Sequence, residues 1–165
     1  MAIMQVWQLD MTALRQTIAK VLSLPPSKVL DGETSNNVTT KAPYVVVRLV
    51  STKEHGASSI FDGDKETETI TVSCISVISI NFYGNNSRSM ALFAKSSLRT
   101  QTSVQLFNKI GVSVLQCTDS LSLPTSLSSG LEQRAQFDMT IGHNQIVVNG
   151  INRIDEQPII FEVNQ

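Results

Sequence analysis

The sequence predicts an α+β fold, a mainly antiparallel β-sheet flanked by two or three α-helices, and three observations carry that reading. The fifteen residues 69–83, TITVSCISVISINFY, are rich in β-branched side chains and alternate between two faces. In QRAQFDMTI (133–141), Ala135, Phe137, Met139 and Ile141 alternate with Arg134, Gln136, Asp138 and Thr140, as in a strand buried on one face. Between these segments apolar residues recur at the three-and-four spacing of a helix, with Gly84 and Gly111 marking the changes of period. The chain has 165 residues, 41% of them hydrophobic, which suits one domain over 1–165. A chain of that size buries roughly 70% of its unfolded surface and needs no disulfide or structural metal.

Taken in order, Asp10 is placed to cap a helix over 12–22, with Met11, Leu14, Ile18 and Val21 on one face. Pro25 and Pro26 end it, and SKVLDGETSNNVTTKAP (27–43) reads as an extended loop with at most a short strand at Val29 and Leu30. YVVVRLVST (44–52) is a strand, with Pro43 just outside it. Residues 53–68 hold two Lys against five acids, a local charge of −3, and read as a solvated loop or hairpin tip leading into the long strand. Asn85 or Asn86 can cap a helix pair over 87–110, broken near Thr100, with Met90, Phe93, Ala94, Leu98, Val104, Phe107 and Ile110 turned inward. Gly111 then suits a left-handed helix end. A short strand over 112–117 and the Ser-rich loop 120–130 precede C-terminal strands within 132–163. These include a hairpin at Asn149-Gly150 and a last strand at 159–163.

Composition excludes several function classes. The formal net charge of −1 supplies no global field for nucleic acid or an anionic membrane. No window approaches the 18 apolar residues of a membrane span, and the start lacks a basic segment followed by an apolar one, so assembly inside a cell and no membrane partner are expected. Cys74 and Cys117 lie 43 residues apart without redox or metal-ligand spacing and read as small buried hydrophobes. Ser, Thr, Asn and Gln make up 55 residues while charged residues are 16%. Uncharged polar surface is cheaper to desolvate than ionic surface, which suits a subunit that packs against others as well as one whose strands and loops are merely decorated.

No catalytic signature emerges. His55 and His143 read as surface histidines without a partner acid or nucleophile, and nucleophile-elbow, phosphate-loop and dinucleotide motifs are absent. No enzyme activity and no cofactor are expected. Asp62, Asp64, Glu66 and Glu68 could converge on a cation only if their loop folded back, and DGDKETE lacks the frame of an EF-hand, so no metal site is expected. Arg88, Lys95, Arg99 and Lys109 fall in a stretch, 82–118, without a single acid. A solvated helix face is one reading. A nucleic-acid stripe is disfavoured for want of aromatic residues on the polar face. The third reading sets the acidic loop of one subunit against the basic helix of the next, a heterologous contact that can close into a ring.

SINFYG (79–84), Met90-Ala91 and Leu98-Arg99 within a helix, NKIGVSVL (108–115) and EQRAQFDMTI (132–141), in that order, resemble the neck or tail-terminator proteins of tailed bacteriophages. The resemblance covers roughly residues 44–163. It implies a small virion subunit, assembled in the host cytoplasm, that forms a ring, typically hexameric, at the head-proximal end of the tail. Such a ring stops tube polymerisation and joins the tail tube, with a sheath where one is present, to the head-proximal connector or adaptor. Genomic DNA passes its lumen without sequence-specific binding. No catalytic residue is implied. Arg88, Lys95, Arg99 and Lys109, with Asp62, Asp64, Glu66 and Glu68, are the candidate lateral contacts, and the loops 31–42 and 120–130 the candidate axial ones. A head-completion adaptor or stopper, and more distantly a small-ligand-binding or hydrolytic α+β domain, are the alternatives.

Overall fold

A computed structural model describes residues 3–34, 41–127 and 130–151. The elements run β1 (Ile3–Trp7), α1 (Met11–Val21), β2 (Val29–Asp31), β3 (Tyr44–Asp62), β4 (Thr67–Tyr83), α2 (Ser87–Ser97) and α3 (Gln101–Lys109). They continue with β5 (Val112–Cys117), β6 (Leu121–Ser122), β7 (Thr125–Leu127), β8 (Gly130–Glu132) and β9 (Arg134–Gly150).

Three long strands make the frame. β4 pairs antiparallel with β3 on one side and with β9 on the other, from Thr67 to Tyr83 in both cases. The far edge of β9 is served by three short strands laid end to end, β6 at 135–136, β5 at 139–143 and β1 at 146–149. β2 lies parallel beside residues 45–47 of β3, so the sheet is mixed rather than purely antiparallel. β7 and β8 form a separate two-stranded hairpin.

Alternation along the strands decides where the core sits. Ile78, Ile80 and Phe82 of β4, Ala135, Phe137, Met139 and Ile141 of β9, and Val45 and Val47 of β3 are buried on one face. Leu14 and Ile18 of α1, Ala91 and Ala94 of α2 and Phe107 of α3 complete the same core. The small residues of α2 let its backbone approach the sheet closely. Asp10 caps α1 as expected, its Oδ1 accepting from the Thr12 and Ala13 backbone N–H groups at 2.8 and 3.2 Å. Thr100 caps α3, accepting from the Ser103 N–H at 3.3 Å, which explains the break between the two helices.

Three sequence expectations are corrected. Residues 53–62 are not a loop, because β3 runs on to Asp62; they pair with β4 but expose nearly every side chain, so neither face leaves an apolar alternation to read. Phe93 and Val104 are 56% and 42% exposed rather than inward. The buried stripe of α2 instead follows Ser87, Ala91, Ala94 and Leu98, and Phe93 stands off it. Asn149-Gly150 forms no turn. Asn149 is paired with Glu68 on one side and Ile3 on the other, and a strand laddered on both edges overrides a local turn preference. The strand expected at 159–163, and the partner strand expected beyond Gly150, lie outside the described residues apart from Ile151, whose N–H bonds the Glu66 carbonyl at 2.9 Å.

Candidate assembly interface

The two segments that open and close the sheet's central motif are cross-strand neighbours. Tyr83 faces Arg134, Phe82 faces Ala135 and Ile80 faces Phe137. The Phe82 and Phe137 rings stack at 5.7 Å on the helix side. On the opposite side Arg134 donates from Nη2 and Nε to Asn81 Oδ1 at 2.6 and 3.2 Å and lies 5.4 Å over the Tyr83 ring. Tyr83 in turn stacks on Tyr44 at 4.8 Å. Gly84 then turns the chain at φ +122°, where an added Cβ would meet the Pro43 backbone at 3.2 Å, so both conformation and space call for glycine. This rigid node sets α2 and α3 relative to the sheet.

The acidic residues lie at one end of that sheet, on the β3–β4 hairpin. Asp62 closes β3, and its Oδ1 accepts from the Asp64 and Lys65 N–H groups at 3.1 and 3.2 Å while Lys65 Nζ sits 3.3 Å from Oδ2. The Lys65 backbone bond, above all, holds the Asp62 carboxyl below its usual range. Glu66 ends the turn at φ +52°, and Glu68, on β4, accepts from the Ser59 hydroxyl at 2.6 Å. Asp64 and Glu66 remain exposed. Just before the turn stand Ile60 and Phe61, 67% and 54% exposed. The four carboxylates are therefore dispersed along a hairpin tip whose apolar content the sequence reading passed over.

The basic residues divide. Arg88, in the first turn of α2, and Lys109, at the end of α3, are exposed and stand apart. Lys95 and Arg99 come together over an open groove of about 610 Å³ between the end of α2, α3 and β5, walled by Leu98, Val104, Val114 and Leu115. Leu115 is 55% exposed. Lys95 Nζ reaches Asp119 at 3.8 Å, a long contact to a fully exposed carboxylate and so a weak one. Burial pushes the Cys117 thiol in this groove up, with Lys95 and Arg99 pulling it down. Among the described residues no ion pair joins the acidic hairpin to these helices within one protomer.

One polar cluster was missed. His143 stands inside β9, not near a turn, and is partly buried rather than on the surface. Its Nε2 lies 2.7 Å from Ser76 Oγ, itself 2.8 Å from Thr52 Oγ1. A Ser–His contact begins many nucleophilic dyads. Here Ser76 is 0% exposed, so no substrate could reach the hydroxyl, and among the described residues no acid orients the ring. Burial holds the imidazole below its usual value, the Asn144 backbone pulling weakly the other way. Cys74 is buried as expected, whereas Cys117 is only half-buried. The cross-strand register of residues 70–82 with 135–147 was the signal that could have found the cluster.

No described helix is long and apolar enough to cross a membrane. No curated protein matches the chain. A family model described as phage neck terminator protein matches residues 11–165, taking in the FYG turn, both helices beyond it and the Arg134–Asp138 segment. With nearly the whole length matched, the chain belongs to the phage neck terminator protein family, and it is a structural component of the virion neck.

Proposed function

We propose that the protein assembles in the host cytoplasm into a ring, six-fold in the family's manner, that caps the tail tube, stops its growth and docks the tail, with any sheath, to the head-proximal connector or adaptor. Its lumen passes the genome. The observation that carries this reading is that one protomer presents two dissimilar exposed patches which do not meet each other. They are the acidic and apolar hairpin tip and the basic and apolar groove. Unlike, complementary patches favour head-to-tail association, and closure of such a series gives a ring. The candidate lateral residues are Lys95, Arg99, Asp64 and Glu66, with Arg88, Lys109, Asp62 and Glu68 nearer the margins. The loop 120–130, whose described part folds as β6, β7 and β8, and the described part of 31–42 are left for axial partners. A weakly charged wall suits passage, since a basic lumen would retain the phosphate backbone.

Native mass spectrometry across concentration and salt tests the ring. A discrete oligomer, weakened by the double charge reversal Lys95→Glu with Arg99→Glu, is expected. A protein that remains monomeric alone and in the presence of tail tubes refutes the reading, as does a protein that joins filled heads and never tails.

A further inference from the structure

We propose that Phe61, carried at the hairpin tip, seats in the groove between α2, α3 and β5 of a second copy of this chain, with Asp64 and Glu66 meeting Arg99 and Lys95 at its rim. This deepens the ring reading and rests on it.

Each half is incomplete in the same way. Phe61 is more than half exposed although a large aromatic stabilises chiefly when covered, and Ile60 beside it is 67% exposed. The groove has apolar walls in Val104 and Leu115, also open to solvent, so it lacks an apolar plug. Charge agrees in sign. Arg99 makes no ion pair among the described residues, and Lys95 has only its long contact to Asp119. On the other side Asp62 and Glu68 are occupied within the hairpin, while Asp64 and Glu66 are exposed beyond it.

Geometry excludes self-insertion. The groove's β5 wall at Val114 is level, through Ile141, with Ser76 of β4. Nine residues of extended β4 separate Ser76 from Thr67 at the tip, roughly 30 Å at 3.3 Å per residue. The hairpin is paired to β9 over that whole length and cannot bend back. A second copy is therefore the partner that brings both the missing plug and the opposite charge. Knob and socket lie on different parts of the protomer, so the contact is heterologous, as a ring requires. A buried aromatic in a desolvated pocket carries most of the affinity in such contacts, and the rim charges set register.

The test uses the full chain and sedimentation velocity at fixed ionic strength. Phe61→Ser and Val104→Asp, each at an exposed position, are expected to leave the thermal melt of the unassembled subunit, taken below the assembly concentration, unchanged and to raise the concentration needed for assembly at least tenfold. Asp64→Arg and Arg99→Asp are each expected to weaken assembly, and the chain carrying both to recover to within threefold of wild type. Rings that form normally from the Phe61→Ser and Val104→Asp chains would overturn the seat and leave the ring reading standing. Failure of the charge swap to recover would overturn the pairing at the rim. A wild type that never assembles would overturn both. Assembly unaffected by these changes, together with loss of tail binding by the Val104→Asp chain, would assign the groove to a tail protein instead.

Discussion

Gly111→Ala offers the sharpest test of how the N-terminal strand is held. Gly111 links α3 to β5 at φ +68°, and a Cβ there would lie 2.8 Å from Trp7 Cζ2 and 3.3 Å from Cε2. The left-handed conformation alone costs alanine about 1 to 2 kcal/mol. The overlap adds a second cost, because the obstructing atom belongs to a rigid indole rather than to the end of a flexible chain. Trp7 anchors β1, which pairs with β9 at only four positions, and its ring packs 6.2 Å from that of His143. Displacing it should cost about a further 1 to 2 kcal/mol of overpacking. The sum, about 2 to 4 kcal/mol, corresponds to a fall in Tm of roughly 5 to 12 °C for a domain of this size. Calorimetry on wild type, Gly111→Ala, Trp7→Ala and the double variant separates the two terms. In the Trp7→Ala background only the conformational cost should survive, giving a coupling of about 1 kcal/mol or more. Gly56→Ala, where nothing lies within 4 Å, should stay within about 0.5 kcal/mol of wild type. Additivity of the Gly111 and Trp7 changes to within about 0.5 kcal/mol would refute the argument that the indole is seated on this turn.

Gly84→Ala should destabilise by about 1 to 3 kcal/mol in urea titration, since its φ of +122° and the Pro43 backbone at 3.2 Å both resist a side chain. Because His143 is held below its usual value when folded, the unfolded chain takes up the proton first. Stability should be flat above the unfolded pKa, fall as pH drops below about 6.5, and level off below the folded pKa, a slope that His143→Gln should remove. Phe137→Ala, deleting a ring 1% exposed and stacked on Phe82, should cost about 3 to 5 kcal/mol in the same titration. Hydrogen exchange should find the β3 amides of residues 51–61 weakly protected in the free subunit and strongly protected after assembly.

What was legible in the sequence is what local chemistry decides. The Asp10 cap, the run of Ile78, Ile80 and Phe82, the alternation from Ala135 to Ile141 and the left-handed Gly111 each follow from a period or a conformational constraint within a few residues. β1 was not read, because IMQVW has neither alternation nor length and is a strand only by virtue of the β9 edge it joins. The same non-local cause extends β3 through residues 53–62 and straightens Asn149-Gly150. Of the candidate site, the acidic and basic stretches were legible as composition, but of the four cations the structure brings only Lys95 and Arg99 to one groove. The apolar companions of both stretches were not legible. Phe61 stood in a stretch dominated by acids, Phe93 was assigned inward by a stripe that in fact runs through Ala91 and Ala94, and Leu115 faces the groove rather than the core.

The distribution of burial ties fold to assembly. Up to the level of β5 the sheet carries α2 and α3 on one face, and the buried apolar residues of β4 and β9 lie there. Beyond Cys74, β3, β4 and β9 continue for seven more residues of β4, roughly 23 Å, and none of the described side chains in that extension is buried. A sheet stable on its own needs a second layer over its apolar face. Here Ile70 and Val72 on β4, and Val147 and Val148 on β9, are partly covered but not buried, and among the described residues the outer edge of β3 beyond β2 presents unpaired backbone groups. Such an arm adds exposed surface without enlarging the core. In the proposed ring neighbouring subunits supply the missing layer, and the same residues that leave the free arm loosely held add their burial to the stability of the assembled state.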